Sequence, residues 1–329
     1  MADSVLAGDL AAGSEVYPRG PLYAYWLVPF RWLGDGLTPI YLAQIGLSAL
    51  TLWLLYDLVK ARWSALAACA ATCGFALYGA AAMHELKVMA TTMSILLVVA
   101  SVWSLFRLRP RFRYPLGGAA FGLSVACSPS VLITGAVAGV WVLTAGTWRF
   151  RPATLHRRLR AALQFGAGLT LVLAPIVVRN WRVAGEPGLT SAAGVTFYQG
   201  NNPRAEGTYS ELPGFSGDPI KQPLEAQRQA NDAAGRVLSS AEANHYWVRQ
   251  GVDYWLSSPT DAASLMARKL RYWLGSDELS MEYVLGTERE LNPALWSTPL
   301  PFAPLVALAL VGLGRRSMFG KQGLLLALI

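Results

Sequence analysis

Three short stretches hold the side chains best placed for chemistry, and each borders a long apolar run. The first lies within residues 3–26 and carries the carboxylates Asp3, Asp9 and Glu15, the guanidinium of Arg19, and the rings of Tyr17, Tyr23, Tyr25 and Trp26. The second is His84, Glu85, Leu86, Lys87, a carboxylate between two groups able to carry positive charge. At a helix junction on a membrane boundary, low dielectric would tune the pKa of that carboxylate. The third, FYQGNNPRAEGTY at 197–209, offers Asn201 and Asn202, whose amides suit sugar hydroxyls. Plainer readings stay open beside these. Glu85 and Lys87 fit a polar turn between two helices, residues 200–203 fit turn chemistry, and residues 15–26 fit an interfacial aromatic anchor. His84 and Glu85 are weak candidates for a divalent metal, because two adjacent ligands lack a third.

The elements that must position these residues are apolar. The chain is 53% hydrophobic and 15% charged, with mean hydropathy +0.34, more apolar surface than one water-soluble core can hide. An integral membrane protein is expected. The net charge of +8 does not signal nucleic acid, because half of the 28 basic residues cluster in four short segments free of carboxylates, at 60–62, 107–113, 149–160 and 315–321. Basic segments of this kind mark the cytoplasmic side. On that assignment all of the 20 carboxylates except Asp57 fall outside. Cys69, Cys73 and Cys127 lie in apolar runs and read as buried structural thiols, with C-x3-C a poor metal spacing and no disulfide framework implied.

Along the chain, residues 38–59 are long enough to span roughly 30 Å of hydrocarbon. Residues 64–83 return outward, 88–106 descend again, and 115–145 form two short helices separated by Ser128, Pro129 and Ser130. Residues 161–178 cross outward once more. The polar segment from 179 is expected to be irregular at first, then helical over 224–238 and 241–256, with Thr260 capping a helix to 274. Residues 301–313 recross. The expected architecture is an all-α multi-pass membrane protein: a first extracytoplasmic loop (1–37) with an interfacial segment that Pro18, Gly20 and Pro21 keep from regular helix, a bundle of about six spans (38–178), a mixed, mainly helical extracytoplasmic domain (179–299), and further spans (300–329). Residues 1–16 have neither the basic start nor the apolar core of an export signal, and residues 323–329 open another apolar run. The expectation is a piece of a longer chain.

Y-P-R-G-P-L-Y-A-Y-W-L at 17–27 after G-D-L at 8–10, the H-E-L-K turn at 84–87, and G-N-N-P-x-A-x-G-T-Y at 200–209 together resemble the multi-pass GT-C glycosyltransferases. Within that group the likeness is to bacterial members of the dolichyl-phosphate-mannose protein mannosyltransferase and aminoarabinose transferase type, families 39 and 83. The resemblance implies transfer of a sugar from a polyprenyl-phosphate donor to a lipid, glycan or protein acceptor, with inversion, on the extracytoplasmic face of the bacterial inner membrane. It implies a carboxylate base in the first external loop, just after a first helix that is absent here, so that the base is expected upstream of Met1, with Asp3 and Asp9 the only early candidates in this sequence and Glu85 the acid of the second loop. Arg19, Lys87 and Arg179 are then the cations for the donor phosphate, and Tyr17, Tyr23, Asn201, Asn202 and Tyr209 the substrate contacts. No cofactor is required beyond an optional divalent metal, and the partners are the donor, the acceptor and membrane lipids.

No nucleophile elbow, phosphate-binding loop, dinucleotide fingerprint or zinc spacing occurs. The other classes to weigh are a flippase or transporter of a lipid-linked saccharide, which calls for charge at mid-membrane, and a non-catalytic membrane scaffold.

Overall fold

The computed structural model describes every residue except 10, 11, 14, 35, 136–151, 186, 210, 211, 217, 219, 220, 276–282 and 315–329. The second helix expected within 115–145, most of the basic segment at 149–160 and the residues after 314 therefore lie outside the described residues. Among the described residues every regular element is helical: α1 (Ala2–Leu6), α2 (Leu22–Arg31), α3 (Thr38–Lys60), α4 (Ala65–Ala76), α5 (Gly79–Glu85), α6 (Thr91–Arg107), α7 (Pro110–Cys127), α8 (Pro152–Ala184), α9 (Ala193–Gly200), α10 (Gln222–Ala234), α11 (Ser240–Ser257), α12 (Pro259–Leu274), α13 (Leu285–Leu291) and α14 (Phe302–Gly314), with 3-10 turns at Pro129–Val131 and Pro293–Ser297.

Two helices are long and apolar enough to cross a membrane, Thr38–Lys60 and His156–Val183. Only 28% and 17% of their apolar windows are buried. A core helix of a soluble protein would be buried over most of its length, so these two point to membrane association.

The chain divides into two compact units. The first comprises Met1–Gly13, Gly20–Ile176 and Glu288–Ile329; the second comprises Ser14–Arg19 and Val177–Thr287. Sequence composition placed the later boundary at 299/300. The structure moves it to 287/288, because Glu288 pairs with Lys87 at 2.7 Å and Leu300 forms a β-bridge with Tyr78. Residues 14–19 join the second unit because the Ser191 amide donates to the Tyr17 carbonyl at 3.0 Å.

In the first unit α3, α6 and α7 pack in sequence. Their contacts use small and hydroxylated side chains. The Ser94 and Ser124 hydroxyls lie 3.0 Å apart, and the Ser101 hydroxyl donates to the Gly117 carbonyl at 2.7 Å. Gly118 on α7 and Gly168 on α8 bring two backbones together, since a Cβ at either would run into the other helix's backbone, at Phe165 and Pro115. Close approach over small residues is how helices associate where the solvent is itself apolar. Asp57, near the end of α3, accepts from Arg107 at 2.7 and 3.0 Å and from the Trp103 indole at 2.7 Å.

Several expected elements change. The expected run 64–83 is broken at Leu77 and Tyr78, where the amide of Leu300 bonds the Leu77 carbonyl and the Gly79 amide bonds the Leu300 carbonyl, each at 3.0 Å. Alternation of apolar residues carries no trace of such a remote strand partner. The arginine-rich segment at 107–113 is mostly helical, with only Leu108 and Arg109 between α6 and α7. The break at Ser128 falls where Pro129 requires it. Residues 22–26, expected in an irregular loop, are helical, because the prolines that forbid helix in the middle of the stretch end at Pro21 and favour a start there. Cys69 and Cys73 are exposed on α4, while Cys127 is buried.

In the second unit α9, α10 and the stretch 212–215 pack around Trp247 of α11, which lies against Val195, Leu212, Phe215 and Ala226. Ser239 and Glu242 close a capping box at the start of α11. Thr260 is not the cap of α12: Pro259 opens that helix after Ser258, and Thr260 lies inside its first turn.

Candidate functional site

In the first unit the organising side chain is Gln44, fully buried on α3. The phenol of Tyr23 donates a short hydrogen bond to its Oε1, and its Nε2 donates to the carbonyls of Glu85 at 2.7 Å and Lys87 at 2.8 Å. One amide thus ties the P-L-Y stretch to the H-E-L-K turn and satisfies the end of α5, whose last carbonyls have no partner within the helix. Gly20, just before that stretch, sits where a Cβ would collide with the carbonyls of Ala126 and Cys127.

One turn further along α3, Ser48 hydrogen-bonds the Glu85 side chain. Glu85 is half-buried. That burial raises its pKa above the ordinary carboxylate range, and the Ser48 bond opposes the rise without cancelling it. Burial also pushes the Tyr23 phenol up, so it remains a donor at any physiological pH. Lys87 turns toward Glu288 on α13, with both side chains largely shielded at 22% and 12% exposure. His84 has its Nδ1 2.7 Å from the Ala80 carbonyl. Among the described residues no three His, Cys, Asp or Glu side chains gather to hold a metal ion. Asp9 is exposed and accepts from the Gly13 amide at 2.6 Å.

The second unit holds the remaining candidates. Arg179 lies over the ring of Tyr17, 4.0 Å from its centre, and donates to the Glu15 carbonyl and to Asn180 Oδ1. Tyr17 is buried, not at a surface, and Arg19 is exposed. Asn201 and Asn202 are buried as well. Asn202 donates to the carbonyls of Tyr198 and Gln199 at 2.9 and 3.0 Å and accepts from the Arg204 amide at 2.9 Å. Asn201 donates to the Phe197 carbonyl and accepts from the Trp255 indole at 3.1 Å. Most of their hydrogen-bonding capacity is thus spent shaping the end of α9. Tyr209 is partly exposed, its hydroxyl accepting from Gln222 at 2.7 Å. Lys269 reaches the Gly200 carbonyl at 2.5 Å, placing a cation where the C-terminal carbonyls of α9 are otherwise unpaired. Burial lowers the pKa of that ammonium.

Comparison with known proteins finds no matching family model, no similar curated protein and no similar solved structure.

Gln44, Ser48, Glu288 and Lys269 were not among the candidates read from sequence. Gln44 had a signal: it is the lone amide in the run 38–59, and a polar side chain at such depth marks a function or a fixed contact. Glu288 and Lys269 sit among many surface charges and had none.

Proposed function

We propose that the chain is a multi-pass glycosyltransferase of the bacterial cell membrane, moving a sugar from a polyprenyl-phosphate donor to a lipid, glycan or protein hydroxyl on the extracytoplasmic face. The observation that carries this reading is the link from Tyr23 through Gln44 to the Glu85–Lys87 turn, which joins two stretches whose sequence resembles the GT-C enzymes. A fixed, half-buried carboxylate of raised pKa is a stronger base than an exposed one.

In the proposed reaction the acceptor oxygen attacks the anomeric carbon from the face opposite the phosphate. Its proton passes to a carboxylate, for which Glu85 is the better-held candidate and Asp9 the exposed one. The bond from the anomeric carbon to the phosphate oxygen breaks and its electron pair leaves with the polyprenyl phosphate, inverting the centre. Lys87 contributes its charge to the departing phosphate by exchanging with Glu288. Arg19, Arg179 and Tyr209 belong to the second unit and carry no part of this step. His84 and Glu85 do not by themselves make a metal ligand set, and no step runs through one.

A non-catalytic scaffold has one observation of its own in favour, that Lys87 and Arg179 are both engaged by partners within the protein. The purified full chain, supplied with polyprenyl-phosphate sugars labelled in the sugar and a total lipid extract as acceptor, distinguishes the two. Release of polyprenyl phosphate with label in an acceptor, lost in Glu85→Gln, supports the enzyme. Absence of turnover for every donor, with envelope glycans unchanged in a Glu85→Gln strain, selects the scaffold.

A further inference from the structure

Helices α11 and α12 each have more apolar surface than the second unit uses. The inward side of α12 is Ala262 and Leu265, packed with Ala205 and Tyr254. On a second face of the same helix Met266, Leu270, Trp273 and Leu274 recur at spacings of three and four, all exposed, Trp273 by 62%. On α11 the buried side is Ala243, Trp247, Gly251 and Tyr254, and Val252 and Leu256 lie away from it, Leu256 exposed by 76%. α11 and α12 pack on each other. Such exposed stripes on adjoining helices are unusual for a surface facing only water.

We infer that this face of α11 and α12 lies in the headgroup zone of the bilayer, with its apolar side chains reaching the acyl boundary. The inference rests on the membrane reading of the chain. Two features favour lipid over a protein partner. The C-terminal half of α12 has no carboxylate, the single acid of the helix being Asp261 in its first turn; of its cations, Arg268 and Lys269 reach the Ala205 and Gly200 carbonyls, while Arg271 stays exposed next to the stripe, and an exposed cation beside Trp and Leu is the pattern of a helix lying on anionic lipid. The unit is also tethered, since it opens at Val177 inside the apolar helix His156–Val183. A tethered face meets the bilayer at high effective concentration, so modest apolar insertion suffices. The consequence for the proposed enzyme is that the domain following α8 works at the lipid surface, where a polyprenyl-phosphate headgroup resides.

The test uses the full chain with Cys69, Cys73 and Cys127 replaced by alanine, reconstituted in nanodiscs of phosphatidylcholine and phosphatidylglycerol. A bimane label is placed at Leu270→Cys, at Arg228→Cys on the exposed side of α10, whose Ala226 packs against Trp247 on the buried side of α11, or at Leu171→Cys on α8. Lipid carrying a nitroxide near the headgroup is expected to quench the Leu270 label several-fold more than the Arg228 label, while aqueous iodide quenches them in the opposite order. Equal iodide quenching at both positions overturns the inference. So does protection of Leu270 from iodide without nitroxide quenching, which identifies a protein partner or a second copy. Quenching at Leu171 reports on the membrane reading separately: if Leu171 is quenched and Leu270 is not, only the interfacial face fails.

Discussion

Glu85 couples the proposed chemistry to stability in a way that fixes the sign of a pH experiment. Its pKa is raised in the folded state by burial. Below the ordinary carboxylate range both states are protonated and the group has no effect. As pH rises, the unfolded chain releases its proton first, and the folded state loses stability until its own, higher pKa is passed. Glu85→Gln removes this penalty while keeping the shape. Its melting temperature in detergent is expected to match wild type at low pH and to exceed it increasingly as pH climbs from the ordinary carboxylate range to neutrality, while sugar transfer is abolished. Coinciding melting curves across that range would show that Glu85 ionises as freely folded as unfolded. Tyr23→Phe acts in the opposite direction. It leaves Gln44 Oε1 buried without its donor, a loss of about 1–3 kcal/mol readable by denaturant unfolding.

Lys87 tests structure against chemistry within one pair. Replacing it by Ala strands Glu288 in a shielded position and is expected to cost up to about 3 kcal/mol. The double variant Lys87→Ala, Glu288→Ala is expected to recover most of that stability. If Lys87 also steadies the donor phosphate, transfer stays low in the double variant although folding returns; if the pair is purely structural, activity returns with stability.

At the scale of elements, helix contact depends on a few glycines whose roles differ sharply. A Cβ at Gly118 meets the Phe165 backbone, whereas a Cβ at Gly166 meets nothing within 4 Å. Gly118→Ala is therefore expected to destabilise by about 1–3 kcal/mol or more through overpacking, and Gly166→Ala to be neutral or to stabilise by up to about 1 kcal/mol through helix propensity. Thermal unfolding of the two variants side by side reads the difference, and equal behaviour would contradict the α7–α8 approach. Sequence could not have separated these two glycines, which share a composition and a helix-compatible context. The same limit explains the broken run at Leu77 and Tyr78, where a partner more than two hundred residues away decides the backbone. What was legible was local: the prolines at 18 and 21, the Ser128–Pro129 break and the apolar lengths of α3 and α8. The H-E-L-K turn was found as a candidate from charge at a boundary, but its anchor Gln44 was not, because a single amide in an apolar run does not announce its partners.

At the scale of the molecule, the distribution of charge makes an orientation testable independently of any activity. The carboxylate that breaks the sidedness pattern, Asp57, accepts hydrogen bonds from Arg107 and Trp103, so the exception is paired with the very basic segment expected on its own side. Its charge is largely offset where it sits, and the Lys and Arg bias that sets orientation is undiminished. The proposed topology requires residues 60–63 and 107–113 on the cytoplasmic side and Leu86 outside. In the chain with its cysteines replaced by alanine, an impermeant maleimide added to intact cells is expected to label Leu86→Cys and to label Trp63→Cys only after permeabilisation. The reverse pattern would place Glu85 and Lys87 in the cytoplasm, where nucleotide-sugars are the common donors and the polyprenyl-phosphate reading loses its physical basis. Labelling of both positions without permeabilisation would mean that α3 does not cross the membrane, and its exposed apolar surface would then need a protein partner instead.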